Sequence, residues 1–163
     1  MRIAICPGSY DPVTNGHLNI IERCSGLFDK VIVVALINAE KTYAFSREER
    51  VDMLRRVTGH LPNVEVDADD GLVADYAQRK GACALVKGLR AVTDFEYEFQ
   101  MALINKKLNP ELETVFITTD AEFMYLSSSA VREIASYGRD LADFVPPQLE
   151  KEITERFNKE DAQ

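Results

Sequence analysis

The chain has no tryptophan, two histidines and three cysteines among 163 residues, and its 19 lysines and arginines are outnumbered by 27 aspartates and glutamates. Each shortage removes a class of protein. Cys6, Cys24 and Cys83 form an odd set without metal-ligand spacing, so free thiols, buried or partly buried, are expected rather than a disulfide framework or zinc module. A net charge of −8 argues against broad nucleic-acid binding, which needs a surplus of Lys and Arg on one face. The longest strongly apolar run, Val31 to Ile37, is far too short to span a bilayer, and the N-terminus enters a strand-like run without a signal-peptide pattern. No membrane partner and a cytoplasmic location are therefore expected. With 46% hydrophobic and 28% charged residues, residues 1–163 read as one domain with a sizeable core, without repeats or linkers.

Strand-like runs recur at residues 3–6, 30–37, 64–67, 83–87 and 114–119, each followed by a helical pattern. That alternation predicts an α/β fold, a Rossmann-like doubly wound five-stranded parallel sheet with helices on both faces. Ser46-Arg47-Glu48-Glu49 matches a capping box for a helix to about Val57, stopped by Gly59. Gly71 to Lys80 forms the next helix, with Gly81 beyond it. Thr93 or Asp94 caps a longer helix that Asn109-Pro110 closes. A helical segment from Ala130 to Tyr137 ends at Gly138, and a last helix covers about 147–157 before a fraying tail at 158–163.

The sharpest local pattern is Gly8-Ser9-Tyr10-Asp11-Pro12-Val13-Thr14-Asn15-Gly16-His17, directly behind the apolar run Ile3-Ala4-Ile5-Cys6. Two glycines and a proline turn the chain, and Thr14 stands where it can cap a helix through the periodic stretch Leu18, Ile21, Leu27, Phe28. His17 and several backbone N–H groups thereby reach a helix N-terminus, where unsatisfied donors and the helix dipole favour phosphate. The loop has neither the Lys-Ser/Thr ending of a Walker P-loop nor the three-glycine spacing of a dinucleotide fingerprint. An acidic protein that binds polyphosphate must gather its few cations locally, and Lys41, Lys87, Arg90 and His17 all fall at predicted strand ends or helix starts. In Lys87-Gly88-Leu89-Arg90, Gly88 lets the backbone approach a ligand between two cations. Ser127-Ser128-Ser129 offer hydroxyls and N–H groups to the β- and γ-phosphates, with a plain N-cap as the competing reading. Lys41 taken alone reads as a solvated lysine, Asp94 and Glu98 as dipole partners on one helix face, and His60 as a surface residue.

Thr14-Asn15-Gly16-His17 resembles the T/HxGH signature of the nucleotidyltransferase superfamily, in which the His and the helix N-terminus hold nucleotide phosphates. Four further stretches carry a resemblance over almost the whole chain: Phe45 to Arg50, Gly88 to Val92 with Asp94 to Glu98, Pro110 to Glu113, and Ser127 to Ser129. Together with Pro7 to His17 they resemble the bacterial phosphopantetheine adenylyltransferase family. The resemblance implies transfer of the adenylyl group of ATP to 4′-phosphopantetheine, giving dephospho-coenzyme A and pyrophosphate. It implies His17 as transition-state stabiliser at the α-phosphate, with Lys41 and Arg90 in support. It places ATP on Ser9, Tyr10, His17, Gly88, Leu89, Arg90, Glu98 and the run Phe123, Met124, Tyr125, Leu126, Ser127, Ser128, Ser129, and phosphopantetheine on Ser9, Lys41, Val73 and Lys87. It further implies Mg²⁺ on the ATP phosphates without protein ligands, a homohexamer, and coenzyme A as feedback ligand. Ser9 stands where many members have Thr, and Lys87 where Arg is common; a Lys cannot make the bidentate phosphate contact. Related enzymes using nicotinamide mononucleotide, glycerol phosphate or choline phosphate share the Gly-His end, and a nucleotide-sensing module without turnover is the alternative from another class.

Overall fold

Side-chain alternation along the strands builds two cores, one on each face of a sheet. In the computed structural model, which describes residues 1–158, β1 (Ile3–Gly8) sends Ala4 and Cys6 to one layer and Ile5 to the other. Next in the chain, β2 (Lys30–Leu36) sends Val31, Val33 and Ala35 one way and Ile32 and Val34 the other. Strands buried on both faces read as continuous apolar runs, which is why these two are the plainest in the sequence. With β3 (Val64–Asp69), β4 (Ala84–Leu89) and β5 (Glu113–Thr118) they form one parallel sheet in the order β3-β2-β1-β4-β5. The order reverses between β1 and β4, and the crevice at the C-terminal ends of those two strands is where such a sheet binds ligands.

Against the larger core lie α1 (Asn15–Ser25), α2 (Arg47–Thr58), α5 (Ser128–Ser136) and α6 (Pro147–Phe157), through Ile21, Cys24, Met53, Leu54, Val131, Ala135, Leu149 and Ile153. The opposite face carries α3 (Val73–Lys80), which buries Tyr76 and Ala77, and α4 (Val92–Leu108), which lies against β4 and β5. Sheet and helix layers match the doubly wound expectation.

Boundaries differ where tertiary pairing overrides the local pattern. β1, β3 and β4 run to Gly8, Asp69 and Leu89, beyond their apolar stretches, because the parallel ladder continues through Gly8↔Ala35, Leu36↔Asp69 and Leu89↔Thr118. Helix α1 stops at Ser25, leaving Leu27 and Phe28 outside it, and α3 starts at Val73 rather than Gly71, whose N–H is held by the Asp69 carboxylate at 2.9 Å. Neither Thr93 nor Asp94 caps α4: the N-cap is Ala91 without a side-chain bond, because the Asp94 carboxylate accepts from the Arg90 N–H. Helix α5 begins at Ser128, two residues before Ala130, and its last residue is Ser136. Cys6 and Cys24 are buried, whereas Cys83 is exposed, and all three are free. The tail expected to fray lies, from residue 159 onward, outside the described residues.

Candidate active site

The Gly8-to-His17 loop is held in place by side chains from distant parts of the chain. Arg50 of α2 donates to the Ser9 carbonyl at 2.8 Å and to that of Leu36 at 3.2 Å. The buried Asp11 carboxylate accepts the N–H groups of Ala44 and Phe45, both at 2.9 Å. From α5, Arg132 donates to the Asp11 carbonyl at 2.6 Å and the Ser128 hydroxyl to the Pro12 carbonyl at 2.7 Å. Tyr10 takes a left-handed backbone conformation, φ 51°, turns its ring edge-on to His17 and donates its hydroxyl to the Cys6 carbonyl at 2.9 Å.

Thr14 then caps α1 in a reciprocal box. Its hydroxyl accepts the His17 N–H at 3.2 Å, and His17 Nδ1 accepts the Thr14 N–H at 3.0 Å. An imidazole nitrogen that accepts a backbone N–H carries no proton, so the neutral ring holds its proton on Nε2 as a donor. Dense protein surroundings, with Arg90 and Lys87 nearby, lower the His17 pKa to about 4. The sequence counted His17 among the cations; at neutral pH it is an oriented, uncharged hydrogen-bond donor.

A cavity of about 240 Å³ opens above the C-terminal ends of β1 and β4. The predicted residues that it brings together are Tyr10, His17, Lys87, Gly88, Arg90, Glu98, Phe123, Leu126, Ser127 and Ser128. Lys87 Nζ lies 3.3 Å from the Glu98 carboxylate, and Arg90 lies 3.4 Å from that of Asp94 while donating to the Leu126 carbonyl at 2.6 Å. Gly88 packs so tightly on α1 that a Cβ there would stand 2.9 Å from Ile20 Cγ1. Ser127 is spent as the N-cap of α5, accepting from the Ala130 N–H at 3.1 Å, and Ser129 accepts from Arg132 at 3.2 Å. The first-turn N–H groups of α5, more than the hydroxyls, are thus what this helix offers an anion.

A second cavity, of about 150 Å³, adjoins the first and shares Pro7, Lys87 and Glu98 with it. Val73 lines it, together with Leu36, Leu85, Tyr97, Met101, Ala102 and Asn105. Ser9, Lys41, Leu89, Met124, Tyr125 and Ser129 line neither cavity. Lys41 is exposed in the β2–α2 loop, Ser9 presents its carbonyl to Arg50, and Met124 and Tyr125 are exposed. Ile20, Thr119 and the Met101-to-Asn105 turn of α4 line the cavities without any mark in the sequence, and Ile21 is legible there only as a core position of α1. Nothing in a helix of mixed apolar residues marks which side faces a ligand; the Met101-Ala102 face emerges only once α4 is laid against β4. His60, read as lying on the surface, is exposed and pairs with Glu22 at 2.9 Å.

The cytidylyltransferase-like family model matches residues 5–134. A phosphopantetheine adenylyltransferase of Caldanaerobacter subterraneus subsp. tengcongensis is 55% identical over 98% of this chain and 99% of its own. Another, of Desulforudis audaxviator, is 54% identical over 96% of each chain. In fold, the chain is similar to the nicotinic acid mononucleotide adenylyltransferase of Plasmodium falciparum solved with NaAD, at a TM-score of 0.66, 15% identity and coverage of 99% and 98%. The chain belongs to the cytidylyltransferase-like nucleotidyltransferases and, within them, to the phosphopantetheine adenylyltransferase family.

Proposed function

We propose that this chain transfers the adenylyl group of ATP to 4′-phosphopantetheine, forming dephospho-coenzyme A and pyrophosphate. The observation that carries this reading is the pair of adjoining cavities at the switch point: one is bordered by the start of α1 and the turn into α5, the other is largely apolar, and Lys87 lies between them. A triphosphate suits the first and a long, uncharged pantetheine arm ending in a phosphate suits the second. An oxygen of the acceptor phosphate attacks the α-phosphorus of ATP in line as the bond to the bridging oxygen of pyrophosphate breaks. The nucleophile is already an anion, so neither a general base nor a covalent enzyme intermediate is needed.

In this reading His17 donates its Nε2–H to the α-phosphoryl group, where negative charge builds in the transition state. Arg90, Gly88, Leu89, Glu98, Ser9, Tyr10 and residues 123–129 hold ATP, and Lys87, Val73, Lys41 and the same Ser9 hold the acceptor. Mg²⁺ would enter with ATP and would offset the negative charge of its phosphates. The only carboxylate lining the main cavity is Glu98, already paired with Lys87, and no cluster of three or more metal-ligating side chains exists among the described residues. The donor set therefore fits a cation brought by the nucleotide rather than a protein cage. Coenzyme A, which keeps both halves of the product, is the proposed feedback ligand. The proposed homohexamer has support in α4, whose Tyr97, Phe99, Leu103, Ile104 and Leu108 stand exposed. No helix of the described residues is long and apolar enough to cross a membrane; the cytoplasm is the location proposed.

The test is pyrophosphate release from ATP and Mg²⁺ with 4′-phosphopantetheine, run beside nicotinamide mononucleotide and glycerol phosphate. Release with phosphopantetheine alone is expected. Release only with another acceptor refutes the substrate, and release with none refutes the reaction.

A further inference from the structure

Among the described residues, Lys87 and Glu98 are the only charged ones that line both cavities, and they are paired with each other. Lys87 comes from β4 and Glu98 from the second turn of α4; their side chains are 25% and 20% exposed, and among the described residues Lys87 pairs with no other acid. A carboxylate in the wall of a site for two phosphate-bearing ligands repels both, and here its only ion-pair partner among the described residues is Lys87. One ammonium cannot serve Glu98 and an incoming phosphate at full strength. Arg90, the other cation at the end of β4, lines only the main cavity and is held by the Leu126 carbonyl.

We infer that the Lys87–Glu98 pair couples the two cavities, so that each substrate favours binding of the other. This rests on the proposed function for the identity of the ligands. A phosphate in the second cavity takes Lys87 and releases Glu98, whose carboxylate then accepts hydrogen bonds from the hydroxyls of the nucleotide in the first. Nucleotide bound first releases Lys87 for the phosphate. The first ligand bears the opening of the pair and the second does not, and the gain is the same in either order.

Calorimetric titration with an ATP analogue carrying a methylene between its α- and β-phosphorus atoms, with Mg²⁺, measures this without turnover. Saturating 4′-phosphopantetheine is expected to tighten analogue binding to the wild-type protein on the order of 5-fold or more. Glu98→Gln is expected to tighten phosphopantetheine binding on its own and to abolish the coupling. Lys87→Met is expected to abolish the coupling while weakening phosphopantetheine binding. Opposite signs on acceptor affinity with a common loss of coupling distinguish this device from general damage, which thermal melting of both variants monitors. Coupling that survives in Glu98→Gln, or analogue affinity indifferent to bound acceptor in the wild type, overturns the inference. Wild-type protein that transfers to phosphopantetheine without coupling refutes this inference alone; failure to bind or use that acceptor refutes the proposed function itself.

Discussion

At the scale of single residues, His17 is set by two neighbours rather than by its own chemistry. The Thr14 N–H occupies Nδ1, and the surroundings hold the ring neutral with a pKa of about 4. Losing the Nε2–H donor in His17→Ala is expected to lower kcat on the order of 10²-fold or more, with an unfolding cost of only about 1 kcal/mol from the broken capping box. Steady-state kinetics and urea unfolding of the same preparation separate the two. The depressed pKa also has a sign in stability. Between about 4 and the ordinary 6.5, the unfolded chain binds a proton at this position and the folded chain does not. The contribution is therefore complete above pH 6.5 and is lost as the pH falls toward 4. Wild-type protein should lose about 2 kcal/mol more than His17→Gln between pH 7 and pH 5. Parallel losses in urea titrations would contradict the assignment. Gly88 makes a steric prediction: Gly88→Ala drives a methyl group into Ile20 on α1, 2.9 Å away. We expect kcat/KM to fall at least about 10-fold with partial recovery in the double variant with Ile20→Ala, because the strain is shared by the two positions.

Among the elements, α2 has the clearest structural duty toward the site. Its capping box at Ser46 and Glu49 was legible because it is local, a matter of four consecutive residues. Its larger role was not. Arg50 is 1% exposed, stacks 4.0 Å over the Tyr43 ring and donates to carbonyls of the Gly8-to-His17 loop and of β2. No acid among the described residues pairs with it, so backbone carbonyls and the Tyr43 ring accommodate the guanidinium. Arg50→Met is expected to cost about 3 kcal/mol in chemical denaturation, since the carbonyls of Ser9 and Leu36 lose their donor. A loss below about 1 kcal/mol would show that the loop is held without it. In sequence Arg50 looks like one more charge on a helix of alternating signs, and only the position of α2 over the end of β1 turns it inward.

For the whole molecule, α4 is the odd member. Of its 17 residues only Asn105 is buried, yet it carries aromatic and aliphatic side chains all round. Phe95 packs on Phe116, while Leu103 is 58% and Tyr97 63% exposed. A helix that leaves so many apolar side chains exposed is stabilised in water when a further surface covers it, and a neighbouring copy in the proposed homohexamer would supply that surface. Sedimentation of the wild-type protein should show the assembly, and Leu103→Glu should shift it toward smaller species at unchanged helix content. An unaltered sedimentation profile would place the interface elsewhere.

The sequence by itself determined the sheet class, the number of strands, most helix stops, and the loop from Gly8 to His17. Those features follow from short-range rules, period-two and period-3.6 patterning and caps, together with the left-handed backbone that Gly81 and Gly138 supply behind α3 and α5. The two glycines expected to turn the Gly8-to-His17 loop instead end β1 and lie inside α1, and its left-handed residue is Tyr10. It also carried Lys87, Gly88 and Arg90 as a group, because they are neighbours on one strand end. Tertiary structure alone decided that His17 is neutral, that Ser127 to Ser129 are mostly engaged with their own helix and the Gly8-to-His17 loop, and that Lys41 stands outside both cavities. It alone placed Lys87 against Glu98 between two cavities rather than at the edge of one. Each of these depends on which groups from distant segments meet at the switch point, and desolvation and pairing are properties of that meeting, not of any residue's place in the chain.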